Sequence, residues 1–142
     1  MLTSAVKGAR KGAADIDLEG EPPAVCAITV LTSMDEQQLS EIGVSDSPAQ
    51  QVHRLAALAD ASGLDGIVCS PKEAAQMREL LGEDAIIITT GVRPRGASLG
   101  DQSRVATPKE AFDAGASHLV IGRPITRSND PVEAFEEIVA SL

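Results

Sequence analysis

Two short segments of the chain combine glycine with arginine, a pairing suited to binding a phosphate group. One begins Gly91-Val92-Arg93-Pro94 and continues to Gln102 and Arg104, and the other is Gly122-Arg123-Pro124. A phosphate dianion needs backbone amides that can approach it closely, which glycine permits, and a guanidinium whose fork matches two of its oxygens. The spacing favours a phosphate site. Glycines that serve turns and arginines that pair with surface carboxylates would give the same pattern.

Four short apolar stretches predict the strands that would position these segments. They are Ala24 to Leu31, Gly66 to Cys69, Ala85 to Thr89, and His118 to Ile121. Each stretch has little polar alternation, which is typical of strands buried on both faces of a parallel sheet. The glycine-rich segments follow the third and fourth strands, and Thr32-Ser33 follows the first. Because parallel α/β folds bind ligands beyond the carboxyl ends of their strands, we expect these segments to share one site.

A repeated pattern of helix starts predicts four helices between and after these strands. Each start combines an N-cap side chain, proline at the first helical position and Glu or Gln at the third. The four segments are Ser47-Pro48-Ala49-Gln50, Ser70-Pro71-Lys72-Glu73, Thr107-Pro108-Lys109-Glu110 and Asp130-Pro131-Val132-Glu133. A further helix is predicted at about residues 3–14. Since a full (β/α)₈ barrel takes about 250 residues, the 142 residues fit either an open α/β sheet or half of a barrel.

Composition argues against several classes of function. The formal net charge of −9 repels polyanions, so we expect no nucleic-acid partner and no anionic membrane surface. No apolar run approaches the roughly 20 residues needed to cross a bilayer. The first residues have no apolar region of the secretory type, so a cytoplasmic location is expected. Cys26 and Cys69 lie within apolar stretches and are predicted to be core residues rather than metal ligands.

Five motifs, in the same order along the chain, resemble those of the orotidine 5′-phosphate decarboxylase family. They are Val30-Leu31-Thr32-Ser33-Met34, Gly91-Val92-Arg93-Pro94, Gly100-Asp101-Gln102, Thr107-Pro108 and the segment from Leu119 to Thr126. The resemblance extends over nearly all of residues 1–142. It implies an α/β fold, a partial (β/α)₈ TIM barrel made of the last four βα units with parallel strands. The implied reaction converts orotidine 5′-phosphate to uridine 5′-phosphate (UMP) and carbon dioxide without a cofactor or a metal.

The resemblance also implies a role for each candidate site residue. Thr32 and Ser33 would lie at the pyrimidine end of the ligand, and Arg93 in the loop that closes over it. The phosphate would be bound by Gln102, the amide of Gly122 and the guanidinium of Arg123. Two alternatives stay open: Thr32 and Ser33 could instead cap the next helix, and Arg95 and Arg104 could be solvated loop charges rather than phosphate donors.

The chain departs from the family pattern in two ways. Thr90 stands where the family usually has proline, and no Asp-x-Lys-x-x-Asp spacing surrounds any of the four lysines. Decarboxylation without a cofactor needs an ammonium beside the developing carbanion. The chain alone is therefore predicted to be inactive. The alternatives are a non-catalytic half-barrel that binds phosphate or a nucleotide, and a related barrel enzyme acting on a sugar phosphate.

A four-stranded half-barrel also carries an expectation about assembly. An open parallel sheet leaves two unpaired edges and an apolar interior face exposed. We therefore expect the chain to self-associate into a pseudo-barrel or to pair with a separate N-terminal half.

Overall fold

The computed structural model describes residues 1–16, 19–94 and 104–142. Its four strands form one sheet in the order β1-β2-β3-β4, and every neighbouring pair is parallel. The strands are β1 Cys26–Ile28, β2 Gly66–Cys69, β3 Ile86–Thr89 and β4 His118–Leu119. The predicted parallel α/β architecture is confirmed. Strands that follow one another in the chain are also neighbours in the sheet, as they are in the wall of a (β/α)₈ barrel.

Seven helices occur in the described ranges. They are α1 Leu2–Asp15, α2 Glu36–Glu41, α3 Pro48–Ala61, α4 Ala74–Leu81, α5 Pro108–Asp113, α6 Arg123–Thr126 and α7 Pro131–Ala140. None of the helices in these ranges combines the length and apolar character that crossing a membrane requires.

Three of the four predicted helix starts occur where the sequence indicates. Ser47 and Thr107 each accept a hydrogen bond from the amide of the third helical residue, and that residue's side chain binds back to the cap amide. Asp130 caps α7 by accepting from two amides of its first turn. These caps satisfy amides that a helix leaves without an intrahelical partner, so the local sequence determines where α3, α5 and α7 begin.

The helix start predicted at Ser70 is wrong, because α4 begins at Ala74. Here the Glu73 carboxylate accepts hydrogen bonds from the amide and the hydroxyl of Ser70. It also binds Arg104, which lies 31 residues further along the chain. The carboxylate thus serves a tertiary contact, and residues 71–73 form a turn ahead of the helix.

One face of the sheet is packed and the other is open. Ile67 and Ile87, which are register partners in β2 and β3, are buried in a core shared with α3 and α4. On the opposite face Ile28 keeps 69% of its surface exposed, and Val120, just after β4, keeps 51%. The prediction that the strands are buried on both faces is therefore wrong for this chain, because the helices packed on the described sheet cover one face. The open face corresponds to the interior of a barrel.

Candidate functional site

The segments that follow β1, β3 and β4 begin at the carboxyl edge of the sheet. The Val120 amide donates to the Thr89 carbonyl at 2.8 Å, so the chain leaving β4 stays beside the end of β3. The hydroxyls of Thr32 and Thr90 lie 3.4 Å apart, which brings the turn after β1 to the end of β3 as well. Parallel strands all end at the same edge of a sheet, and ligands of such folds bind there.

Thr32 and Ser33 form a turn a few residues after the first strand. The Met34 amide donates to the Leu31 carbonyl at 2.9 Å and closes this turn. Thr32 is buried and Ser33 is half-buried. The next helix, α2, is capped by Asp35, whose carboxylate accepts from the Gln38 amide. The alternative in which Thr32 or Ser33 caps that helix is therefore wrong.

Arg93 leaves the sheet on a sharp turn that begins at Gly91. The φ of Gly91 is +76°, a conformation that favours glycine. The Arg93 amide then donates to the Ala106 carbonyl at 2.9 Å, and Val92 forms a parallel bridge with Ala106. Arg93 is buried, and one of its contacts is a 2.8 Å hydrogen bond from Nη1 to the Val92 carbonyl. The first residues of the loop and the residues before α5 are thus held together.

Gly122 and Arg123 begin the short helix α6 after the fourth strand. The Gly122 carbonyl accepts from the amides of Ile125 and Thr126 at 2.9 and 3.0 Å. Around Gly122, no described atom other than its chain neighbours lies within 4 Å of where a Cβ would stand. Arg123 is half-buried as the first helical residue. The glycine is therefore exposed beside an arginine, the pairing that the sequence predicts for a phosphate.

The predicted phosphate ligand Gln102 lies outside the described residues, as does Arg95. Whether Gln102 meets Gly122 and Arg123 therefore stays a prediction.

Arg104 makes a buried ion pair that neither alternative for this residue anticipates. Its Nη1 lies 2.7 Å from Oε1 of Glu73, and the two side chains are only 11% and 5% exposed. Its Nη2 donates to the Leu31 carbonyl at 2.9 Å. Arg104 is thus not a solvated loop charge, because Nη1 and Nη2 are both engaged, while its Nε is buried without a hydrogen-bond partner among the described residues. The local sequence pattern missed this pair because it assigned Glu73 to a helix cap.

Cys69 lies next to this ion pair at the end of β2. Burial is the main cause that raises the pKa of its thiol to about 12, and the Glu73 carboxylate adds to the rise while Arg104 opposes it. The thiol therefore stays protonated at neutral pH and is poorly suited to act as a nucleophile. In the described ranges no group of three or more His, Cys, Asp or Glu side chains could hold a metal ion.

A cavity of about 700 Å³ opens beside the ends of α5, α6 and α7. Its lining carries the carboxylates of Glu110, Asp113 and Glu137, and its one lysine, Lys109, is paired with Asp113 at 3.1 Å. Because negative charge dominates, this cavity is a poor place for a phosphate dianion. The strand-end segments remain the better candidate site.

Comparison with known proteins gives one consistent result. The model of the orotidine 5′-phosphate decarboxylase / HUMPS family matches residues 1–138. An orotidine 5′-phosphate decarboxylase of Psychromonas ingrahamii is 56% identical over 120 residues, 84% of this chain and 51% of that relative. One from Pseudoalteromonas atlantica is 48% identical over 134 residues, 94% of this chain and 57% of that relative.

A solved structure agrees with these relatives. The crystal structure of an orotidine 5′-phosphate decarboxylase from Lactobacillus acidophilus is 37% identical, with a TM-score of 0.79. That match covers 99% of this chain and 57% of the solved one. The chain therefore spans about half the length of the relatives it matches.

Proposed function

The chain belongs to the orotidine 5′-phosphate decarboxylase / HUMPS family, and we propose that it carries the phosphate- and pyrimidine-binding half of an enzyme that converts orotidine 5′-phosphate to UMP and carbon dioxide. The observation that carries this proposal is that three loops begin at one edge of the sheet. The Thr32–Thr90 contact joins the segments that follow β1 and β3, and the Val120–Thr89 hydrogen bond keeps the start of the segment after β4 beside the end of β3. A nucleotide placed there would have hydroxyls near one end and arginine with glycine near the other.

In this proposal the phosphate is the anchor of the ligand. The guanidinium of Arg123 would donate to two phosphate oxygens, with the Gly122 amide and the Gln102 side chain completing the contacts. Arg93 would lie over the ligand, while Thr32 and Ser33 would hydrogen-bond the pyrimidine side. Phosphate contacts remote from the ring can supply binding energy that is used at the reacting bond.

The chemical step needs groups of a different kind. When the bond from the ring to the carboxylate breaks, its electron pair stays on the ring carbon, and a nearby ammonium stabilises this charge and then protonates the carbon. Lys7 and Lys72 are exposed, and Lys11 and Lys109 pair with Asp15 and Asp113 within their own helices. We therefore assign the chemistry to the family's Asp-x-Lys-x-x-Asp segment, and no cofactor is invoked.

We expect the chain to associate through its open face and its strand edges. Ile28 and Val120 are exposed on or beside β1 and β4, which have neighbours on one side only in the described sheet. Burying apolar surface and pairing free strand edges both favour association, either with a second copy or with an N-terminal half. Light scattering should give a mass of at least twice 14.7 kDa. A stable, folded monomer at micromolar concentration would contradict this expectation.

The cytoplasmic location stays a prediction.

Titration with two phosphate ligands tests whether the site recognises a nucleotide. Isothermal calorimetry should show that UMP binds about tenfold more tightly than ribose 5-phosphate, because one or two added hydrogen bonds to the base each contribute about 0.5–1.5 kcal/mol. Both ligands carry the same phosphate, so the comparison isolates the contribution of the base. Equal dissociation constants would instead favour the sugar-phosphate alternative.

A further inference from the structure

We propose that Arg104 is a positioning residue that sets the preference for a pyrimidine nucleotide, by fixing the turn that carries Thr32 and Ser33. This inference rests on the proposed function, since it concerns the base end of the same site. Arg104 itself need not touch the ligand. Its effect is exerted through the backbone that precedes Thr32.

Arg104 is bound to the backbone that follows β1. Its Nη2 donates to the carbonyls of Leu31 and Val30, at 2.9 and 3.4 Å. Leu31 is covalently joined to Thr32, and its carbonyl also closes the turn by accepting from the Met34 amide. A single guanidinium nitrogen therefore anchors the backbone directly before the two residues that carry the candidate hydroxyls.

Arg104 is itself held by a buried carboxylate. Glu73, only 5% exposed, engages it through Oε1, while Oε2 accepts from the amide of Ser70 at 3.1 Å and from the Ser70 hydroxyl. Both carboxylate oxygens are used, as a buried charge requires. The pair thus connects the segment after β1 and the residue after β2 to the residues that follow the loop after β3.

Arginine suits these two contacts better than another cation does. A guanidinium presents several donors in a fixed plane, so one nitrogen can bind Glu73 while another binds the carbonyls of Val30 and Leu31. A lysine ammonium could keep the charge pair with Glu73, but it is a compact donor group and could not span both partners in the same geometry. Arg104→Lys therefore keeps the positive charge beside Glu73 but removes the simultaneous contact with the carbonyls before Thr32.

The test compares Arg104→Lys with Arg54→Lys, each titrated with UMP and with ribose 5-phosphate. Arg54 is a matched control because it pairs with Asp46 with 70% of its side chain exposed. For Arg104→Lys we expect the UMP dissociation constant to rise about tenfold. The ribose 5-phosphate constant should change less than about twofold. Arg54→Lys should leave both constants unchanged. If the role of Arg104 were purely structural, Arg104→Lys would weaken the binding of both ligands equally. An unchanged ratio of the two dissociation constants would overturn the proposal.

Amide spectra of the chain without added ligand make the test independent of the proposed function. In ¹H–¹⁵N correlation spectra, Arg104→Lys should shift the Thr32 and Ser33 amides, and Arg54→Lys should not. If the wild-type chain itself did not prefer UMP, the proposed base recognition would fail, and these spectra would still decide whether Arg104 fixes the turn. Unshifted Thr32 and Ser33 amides would refute it. Should Arg104→Lys fail to fold, Glu73→Gln, which keeps the side-chain size, gives the same two readouts with the same expected direction.

Discussion

Replacing Arg123 by glutamine should raise the dissociation constant of the chain for UMP about a hundredfold. A bidentate guanidinium–phosphate contact consists of two charge-assisted hydrogen bonds, each of about 1.5–3 kcal/mol, and about 1.4 kcal/mol corresponds to a factor of ten. Arg123 is half-buried, so water weakens the contact and the lower end of that range applies. Glutamine keeps much of the side-chain length and stays compatible with the first helical turn.

The control for this variant is Arg127→Gln, one turn further along the chain. Arg127 is the C-cap residue that follows the same short helix, and it is exposed. Both changes remove one positive charge, so any general effect of net charge on an anionic ligand appears equally in both. By isothermal calorimetry, the UMP dissociation constants of the two variants should differ by nearly a hundredfold. If Arg123→Gln bound UMP within threefold of the wild-type chain, the assigned phosphate contact would be wrong.

The central strands could be predicted from the sequence closely. The stretch Gly66 to Cys69 has the same bounds as β2, and β3 starts one residue after the predicted one. Both strands have hydrogen-bonded neighbours on each side, so the apolar residues that predict each strand are also the residues that pair in the sheet. The outer strands β1 and β4 are shorter than predicted, because an apolar stretch continues as a strand only where a neighbour supplies hydrogen bonds.

The helices show a similar division between local and long-range causes. The caps of α3, α5 and α7 involve residues two or three positions apart, so the sequence predicts them directly. The short helices α2 and α6 contain too few residues for a helical period to be recognised. For α2, the Asp35–Gln38 capping box was the available signal.

The contacts of Arg104 could not be predicted from local sequence patterns. Its partners are 31, 73 and 74 residues away in the sequence. A charged residue within a polar, glycine-rich loop gives no local sign that it will be buried, because its burial depends on a carboxylate from a different βα unit. The position of the candidate residues Thr32, Arg93 and Arg123 after the strands was easier to predict, because parallel topology brings every strand-end segment to one edge of the sheet. Their contacts with a ligand stay a prediction.

The measurement that tests the account most directly is turnover of orotidine 5′-phosphate by these 142 residues. The protein should be prepared from a host whose own decarboxylase gene is deleted, and UMP formation followed by chromatography. We predict no turnover above the uncatalysed rate, because the described lysines are exposed or paired within helices. A hybrid should gain activity by many orders of magnitude, since enzymes commonly accelerate reactions by at least about 10⁶-fold. That hybrid joins these residues to the part of the Psychromonas ingrahamii relative that they do not match, to supply the Asp-x-Lys-x-x-Asp segment. Turnover by the 142-residue chain alone, at a rate comparable to the hybrid, would contradict the account.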